Sequence, residues 1–153
     1  MPSGKKYIRH EEALSEAKMR FPNASFVGSY KEYRERFGKD QRFKNTDIVV
    51  LDPEPRGIEL KVHRHDTDWG EVGLSQALRL LNGESIWICE YQQDDTPCFS
   101  DLKDGRSFVE QYCYFTDQAR IHYNHTRANK RVASHPVTEN KIKRLRTILG
   151  EGA

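Results

Sequence analysis

The segment from Thr46 to Val62 constrains the fold of this 153-residue chain more than any other. It reads as two short strands, Asp47–Leu51 and Ile58–Val62, separated by Pro53, Pro55 and Gly57, which interrupt pairing and favour a turn. In the second run Ile58, Leu60 and Val62 alternate strictly with Glu59 and Lys61. In the first run Ile48 and Val50 share one face, and Asp47 shares the other with Val49 and Leu51. Antiparallel pairing that buries the even-numbered apolar residues together sets the parity of the register and puts Asp47, Glu59 and Lys61 on one face. One register of that parity sets Asp47 opposite Lys61.

Two carboxylates and an ammonium beside an apolar sheet suit a hard divalent cation, because Mg²⁺ takes carboxylate oxygens and water. Such a cation lowers the pKa of its water and offsets charge in a phosphoryl transition state. A bare Asp…Glu-x-Lys is short, and a solvated hairpin face carries the same letters. The flanking elements therefore decide how much weight it bears.

Those elements follow in a definite order. Residues 7–21 read as a helix with Leu14, Ala17 and Phe21 on one stripe, stopped by Pro22 and Asn23. Ala24–Tyr30 reads as a strand, and Tyr33 and Phe37 suit a short helix before Gly38. After the hairpin, the loop His63–Val72 is polar, and its His63, His65, Asp66 and Asp68 match no established metal spacing. Leu74–Leu81 is a helix with a Leu74, Ala77, Leu78, Leu81 stripe, ended by Asn82-Gly83. Ser85–Tyr91 is a nearly continuous apolar run, as in a buried strand.

This order, with Asp47 and Glu59-Leu60-Lys61 on its second and third strands and Gln76 in the following helix, resembles the PD-(D/E)xK nuclease superfamily, whose fold is restriction-endonuclease-like. It is nearest in pattern to the Holliday-junction-resolvase and VRR-NUC groups. Thr46 stands where the family usually has proline. The resemblance covers residues 7–91. It implies an α/β fold, an α-β-β-β-α-β core with a mixed central sheet flanked by helices, and a Mg²⁺- or Mn²⁺-dependent endonuclease that hydrolyses phosphodiester bonds. Branched DNA in recombination or repair is the implied substrate. Asp47, Glu59 and the Leu60 carbonyl would bind metal, and Glu12 or Glu16 from the first helix would complete the shell. Lys61 would orient the attacking water or stabilise phosphate charge, and Gln76 would position water or phosphate. Two alternatives stay open: a non-catalytic nucleic-acid-binding subunit on the same fold, and a sequence-reading restriction-type endonuclease.

Composition limits the setting. Mean hydropathy is −0.86 and 31% of residues are charged. No apolar run approaches the roughly 20 residues a membrane span needs. The first ten residues have no apolar core, so a signal peptide is not expected. Three cysteines without a CxxC spacing argue against a disulfide framework or structural zinc. The expectation is one intracellular domain, cytoplasmic or nucleoid-associated, with residues 92–153 as an extension ending in a basic helix.

Residues 118–153 hold 8 Lys/Arg against 2 Asp/Glu, whereas residues 1–117 hold 17 against 21. Basic residues there and in 31–45 suit phosphate contacts. Arg34, Arg36, Lys39, Arg42, Lys44, Arg127, Lys130, Arg131, Lys143 and Arg144 are the expected DNA contacts. Ser107 with Glu110 reads as a capping box, and Thr138 as the cap of a helix Glu139–Leu149 that buries Ile142, Leu145 and Leu149. A homodimer is expected on general grounds, since symmetric dimers are the commonest oligomers.

Overall fold

The computed structural model describes residues 2–21, 27–38, 43, 46–51, 54–124 and 136–150. In chain order the elements are α1 (Pro2–Met19), β1 (Val27–Gly28), α2 (Tyr30–Phe37), β2 (Ile48–Val50), β3 (Arg56–Arg64), β4 (Trp69–Val72), α3 (Leu74–Leu81) and β5 (Ser85–Tyr91). There follow β6 (Pro97–Phe99), β7 (Lys103–Asp104), α4 (Gly105–Tyr112), β8 (Cys113–Phe115), β9 (Ile121–Asn124) and α5 (Glu139–Ile148). The class is mixed α/β. Among the described residues no helix is long and apolar enough to cross a membrane.

The chain divides into two compact units, and the division does not fall at residue 91. The first holds Met1–Arg64 and Trp87–Asp101. Its sheet runs in the order β1-β2-β3-β5-β6. β3 is a central strand, and Gly57, Ile58, Glu59 and Leu60 are all buried. α1 packs on β3 through Ala13 and Ala17, both fully buried. Their small side chains let helix and strand approach closely.

α2 packs on β1 and β2. Its Tyr33 joins Phe43 and Val49 in a buried cluster. The expected strand Ala24–Tyr30 is confined among the described residues to Val27–Gly28. Ser29 leaves it to cap α2: its Oγ accepts the Glu32 N–H at 3.3 Å, and Glu32 Oε1 accepts the Ser29 N–H at 3.5 Å. Glu32 also takes Lys18 Nζ at 2.7 Å, which ties α1 to α2.

The second unit holds His65–Ile86 and Leu102–Ala153. Part of the expected polar loop is strand here. β4, β9 and β8 form a three-stranded antiparallel sheet in the order β4-β9-β8. One face of it is core: Val72, Cys113, Phe115, Ile121 and Tyr123 are buried. Gly70 lies directly opposite Tyr123, and a Cβ there would stand 2.5 Å from the Tyr123 hydroxyl oxygen, so the ring covers a position that only glycine leaves open.

α3 packs against α4 and α5. It buries Ala77, Leu80 and Leu81, with Leu74 and Leu78 half-exposed, so its inner face is centred nearer Leu80 than the sequence stripe suggests. α4 begins at Gly105, two residues before the expected cap. Asp104 is the N-cap and accepts the Ser107 N–H at 3.0 Å. α5 matches expectation at its start, where Thr138 Oγ1 accepts the Lys141 N–H at 3.2 Å. It buries Ile142, but Leu145 is only half-buried and Leu149, just past the helix, is 60% exposed.

Candidate functional site

The site is built on the pairing of β2 with β3. The observed register sets Ile48 opposite Ile58, Val49 opposite Gly57 and Val50 opposite Arg56. The parity is the expected one. The register itself is slipped by two residues from the one that sets Asp47 opposite Lys61, and the next position along the ladder sets Asp47 against Glu59. Pairing extends to Arg56, the first residue after Pro55.

Asp47 stands just beyond the end of β2. Its Oδ2 accepts the Leu60 N–H at 2.9 Å, a charge-assisted bond that stands in for a ladder bond to β2. This fixes the carboxylate at the middle residue of Glu59-Leu60-Lys61. Its other oxygen, Oδ1, lies 4.0 Å from His10 Nε2. Lys61 Nζ is 3.8 Å from Glu59 Oε2. Exposure is graded across the group: the Glu59 side chain is 3% exposed, Lys61 17% and Asp47 26%. Solvent therefore reaches the site from the Asp47 and Lys61 side. His63, two residues on along the same face of β3, is also buried.

The first helix supplies a different residue from the expected one. His10 lies three residues before Ala13 and seven before Ala17, on the face that packs on β3. Glu12 is exposed and Glu16 half-buried. Their charges act on β5 and its neighbours. Burial is the main cause that pushes the Tyr91 hydroxyl up to about 12, with Cys89, Glu12 and Glu16 adding to it. Glu12 also raises Arg9, whose largest influence is its bond to Asp95.

Gln76 belongs to the second unit. Its Oε1 accepts the Gly73 N–H at 2.9 Å and so closes the N-terminus of α3. Among the expected DNA contacts, Arg34 and Arg36 are exposed in the last turn of α2. Lys143 and Arg144 are exposed on α5, with Lys143 Nζ 3.4 Å from Glu139 Oε1. Lys39, Arg42, Lys44, Arg127, Lys130 and Arg131 lie outside the described residues.

Among the described residues no group of three or more His, Cys, Asp or Glu stands close enough together to hold a metal ion. That covers His65, Asp66 and Asp68 as well. Asp47 and Glu59 nevertheless suit Mg²⁺, which commonly takes one or two carboxylates and keeps several waters. The sequence reading passes over His10 and counts His63 with the polar loop, whereas His63 belongs to β3. The signal for His63 was the alternation of Glu59 and Lys61 carried one step further. The signal for His10 was the Leu14–Ala17 stripe carried one turn back. No family model matches the chain, and comparison with curated proteins and with solved structures gives no match either.

Proposed function

We propose that the chain is a metal-dependent nuclease that hydrolyses phosphodiester bonds in DNA, on the restriction-endonuclease-like pattern that its element order resembles. The observation that carries this reading is the Asp47 carboxylate, held by the Leu60 N–H beside the Glu59–Lys61 ion pair on the central strand. Asp47 and Glu59 would hold Mg²⁺ or Mn²⁺. When bound, the cation lowers the pKa of a water and offsets negative charge at the phosphate.

The protein's own groups do the rest. The Leu60 N–H occupies Oδ2 of Asp47 and so orients Oδ1. Lys61 donates to a phosphate oxygen or to the attacking water, and its pairing with Glu59 sets where its ammonium stands. Burial of Glu59 strengthens these charge interactions, because little water screens them. The Gln76 side-chain carbonyl serves the α3 cap. The exposed Arg34 and Arg36 would contact the DNA backbone, so binding should weaken steeply with salt.

One observation favours a second reading, a non-catalytic nucleic-acid-binding module: among the described residues no third His, Cys, Asp or Glu joins Asp47 and Glu59 in a metal-holding group. Cleavage separates the two readings. Labelled four-way junction, flap, duplex and single-stranded DNA are incubated with the protein in Mg²⁺ or EDTA, with Lys61→Ala alongside. Metal-dependent cutting that Lys61→Ala abolishes supports the nuclease, and the preferred substrate tests the branched-DNA reading. Tight binding without cutting of any substrate supports the module.

A further inference from the structure

The outer face of the β4-β9-β8 sheet carries a row of rings. Cross-strand pairing sets Glu71 opposite His122 and His122 opposite Tyr114, and sets Trp69 opposite Asn124. Side chains alternate between the faces of a strand. Trp69, Glu71, His122, Asn124 and Tyr114 therefore share the face opposite the buried Val72, Ile121 and Tyr123. The Trp69 and His122 rings are 5.2 Å apart and inclined at 36°, and the Tyr114 ring meets the other side of His122 edge-on at 6.0 Å. Trp69 is 51% exposed, although a tryptophan on a sheet ordinarily turns most of its surface inward.

We propose that this face binds single-stranded nucleic acid by stacking a base on the exposed Trp69 ring, which His122 and Tyr114 brace from the neighbouring strands. Base–aromatic stacking needs rings presented on a rigid platform, and it tolerates sequence because every base has a π-face. The three rings come from three strands of one sheet, and each has a polar edge. None of the five side chains on the face is aliphatic, which an apolar peptide partner would favour. Charge on the face is balanced. Glu71, the acid on the face, is neutralised by Arg120, whose Nη1 lies 3.1 Å from its Oε2. The proposal goes beyond the Asp47 site and does not depend on it, because base stacking needs no metal.

The test uses the 153-residue chain in EDTA, where metal-dependent cutting is silent. Binding of a fluorescein-labelled thymidine single strand of about 12 nucleotides, a length in the range of known single-strand sites, is followed by anisotropy. Trp69→Ala should weaken it roughly 10-fold, Trp69→Phe should restore most of the loss, and binding of a duplex of the same length should change little. In Trp87→Phe, where Trp69 is the remaining indole, the oligonucleotide should quench its fluorescence. The anisotropy comparison stands even where loss of the buried Trp87 weakens the fold. Wild-type affinity in Trp69→Ala, an equal loss for single strand and duplex, or equal quenching by polyglutamate would each overturn the proposal. The first outcome removes the stacking, the second leaves only backbone attraction, and the third reassigns the face to any polyanion.

Discussion

Replacing Asp47 separates its structural work from its chemical work, because its two oxygens are used differently. Asp47→Ala removes the acceptor of the Leu60 N–H. A hydrogen bond to a charged group contributes about 1.5–3 kcal/mol. The Asp47 side chain is 26% exposed, so water replaces part of the bond, and the low end, about 1.5 kcal/mol, is the expected loss. For a chain of this size each kcal/mol moves the melting temperature by about 2–4 °C, so Asp47→Ala should melt roughly 3–6 °C lower. Asp47→Asn keeps a side-chain carbonyl for the Leu60 N–H. It exchanges a charge-assisted bond for a neutral one, worth about 1 kcal/mol, and should melt only about 1–2 °C lower. Chemistry should not follow the same order. A carboxylate that holds the cation has no substitute in a neutral amide, so both variants should lose roughly 100-fold or more of cleavage. The gain in melting temperature that Mg²⁺ or Mn²⁺ gives the wild type should vanish in both. The assays are calorimetry with and without metal and single-turnover cleavage. Asn at wild-type rate with its metal-linked stabilisation intact would show that Asp47 only ends a strand, and an Ala variant as stable as wild type would refute the bond to Leu60.

Three further perturbations test the scaffold. In Gly105→Ala the new Cβ would stand 2.1 Å from the Glu84 carbonyl oxygen and 2.7 Å from that of Leu80, both backbone atoms that cannot rotate away. α4 must move, and urea denaturation should show a loss of about 3 kcal/mol; a neutral effect would mean α3 and α4 do not meet this closely. The Lys18 hydrogen bond holds the Glu32 carboxyl below its ordinary value. A depressed carboxylate pKa adds stability above the unfolded pKa and loses it as pH falls through the folded one. The melting-temperature gap between wild type and Lys18→Met should therefore be full at neutral pH and close on acidification, and a gap independent of pH would exclude the ion pair as its source. Cys98 is exposed, whereas Cys113 is buried and burial pushes the Cys89 thiol up to about 12. A thiol reagent should label Cys98 quickly and reach the other two only in denaturant, and rapid labelling of all three would contradict the burial of β5 and β8.

The parts of the fold legible in the sequence are those where one rule acts alone. Alternation in Ile58–Val62 gave the face of every residue in β3, because a strand has only two faces. Its register is a separate matter, since alternation fixes only the parity of the pairing. The Ser-x-x-Glu pattern depends on its context. At Ser29–Glu32 it forms the reciprocal cap, although that stretch reads as strand. At Ser107–Glu110 it does not, because Gly105 packs against the carbonyls of Leu80 and Glu84 and the helix has already begun, with Asp104 as its cap. The second sheet stayed hidden for another reason. Ile121 and Tyr123 do alternate with His122 and Asn124, but in a four-residue strand rich in rings and positive charge the pattern is also what a contact surface carries.

The first helix decides which group meets Asp47, and its phase could be worked out from the sequence. At about 100° per residue, His10, Ala13, Leu14 and Ala17 fall within one sector, while Glu12 lies about 160° and Glu16 about 120° from His10. Measured from the midpoint of Ala13 and Ala17, His10 lies about 40° to one side, Glu16 about 80° to the other and Glu12 about 120° away. Packing those alanines on β3 therefore turns His10 toward the strand and Glu12 farthest from it. The resemblance to known nucleases places an acid in the first helix without regard to that phase. The burial of Ala13 and Ala17 and the 4.0 Å approach of His10 to Asp47 both follow from it. The influence of Glu12 and Glu16 on Tyr91, over β5, is the same rotation seen from the other side. α1 thus presents an imidazole to Asp47, while Glu16 flanks the same alanines on the side toward β5.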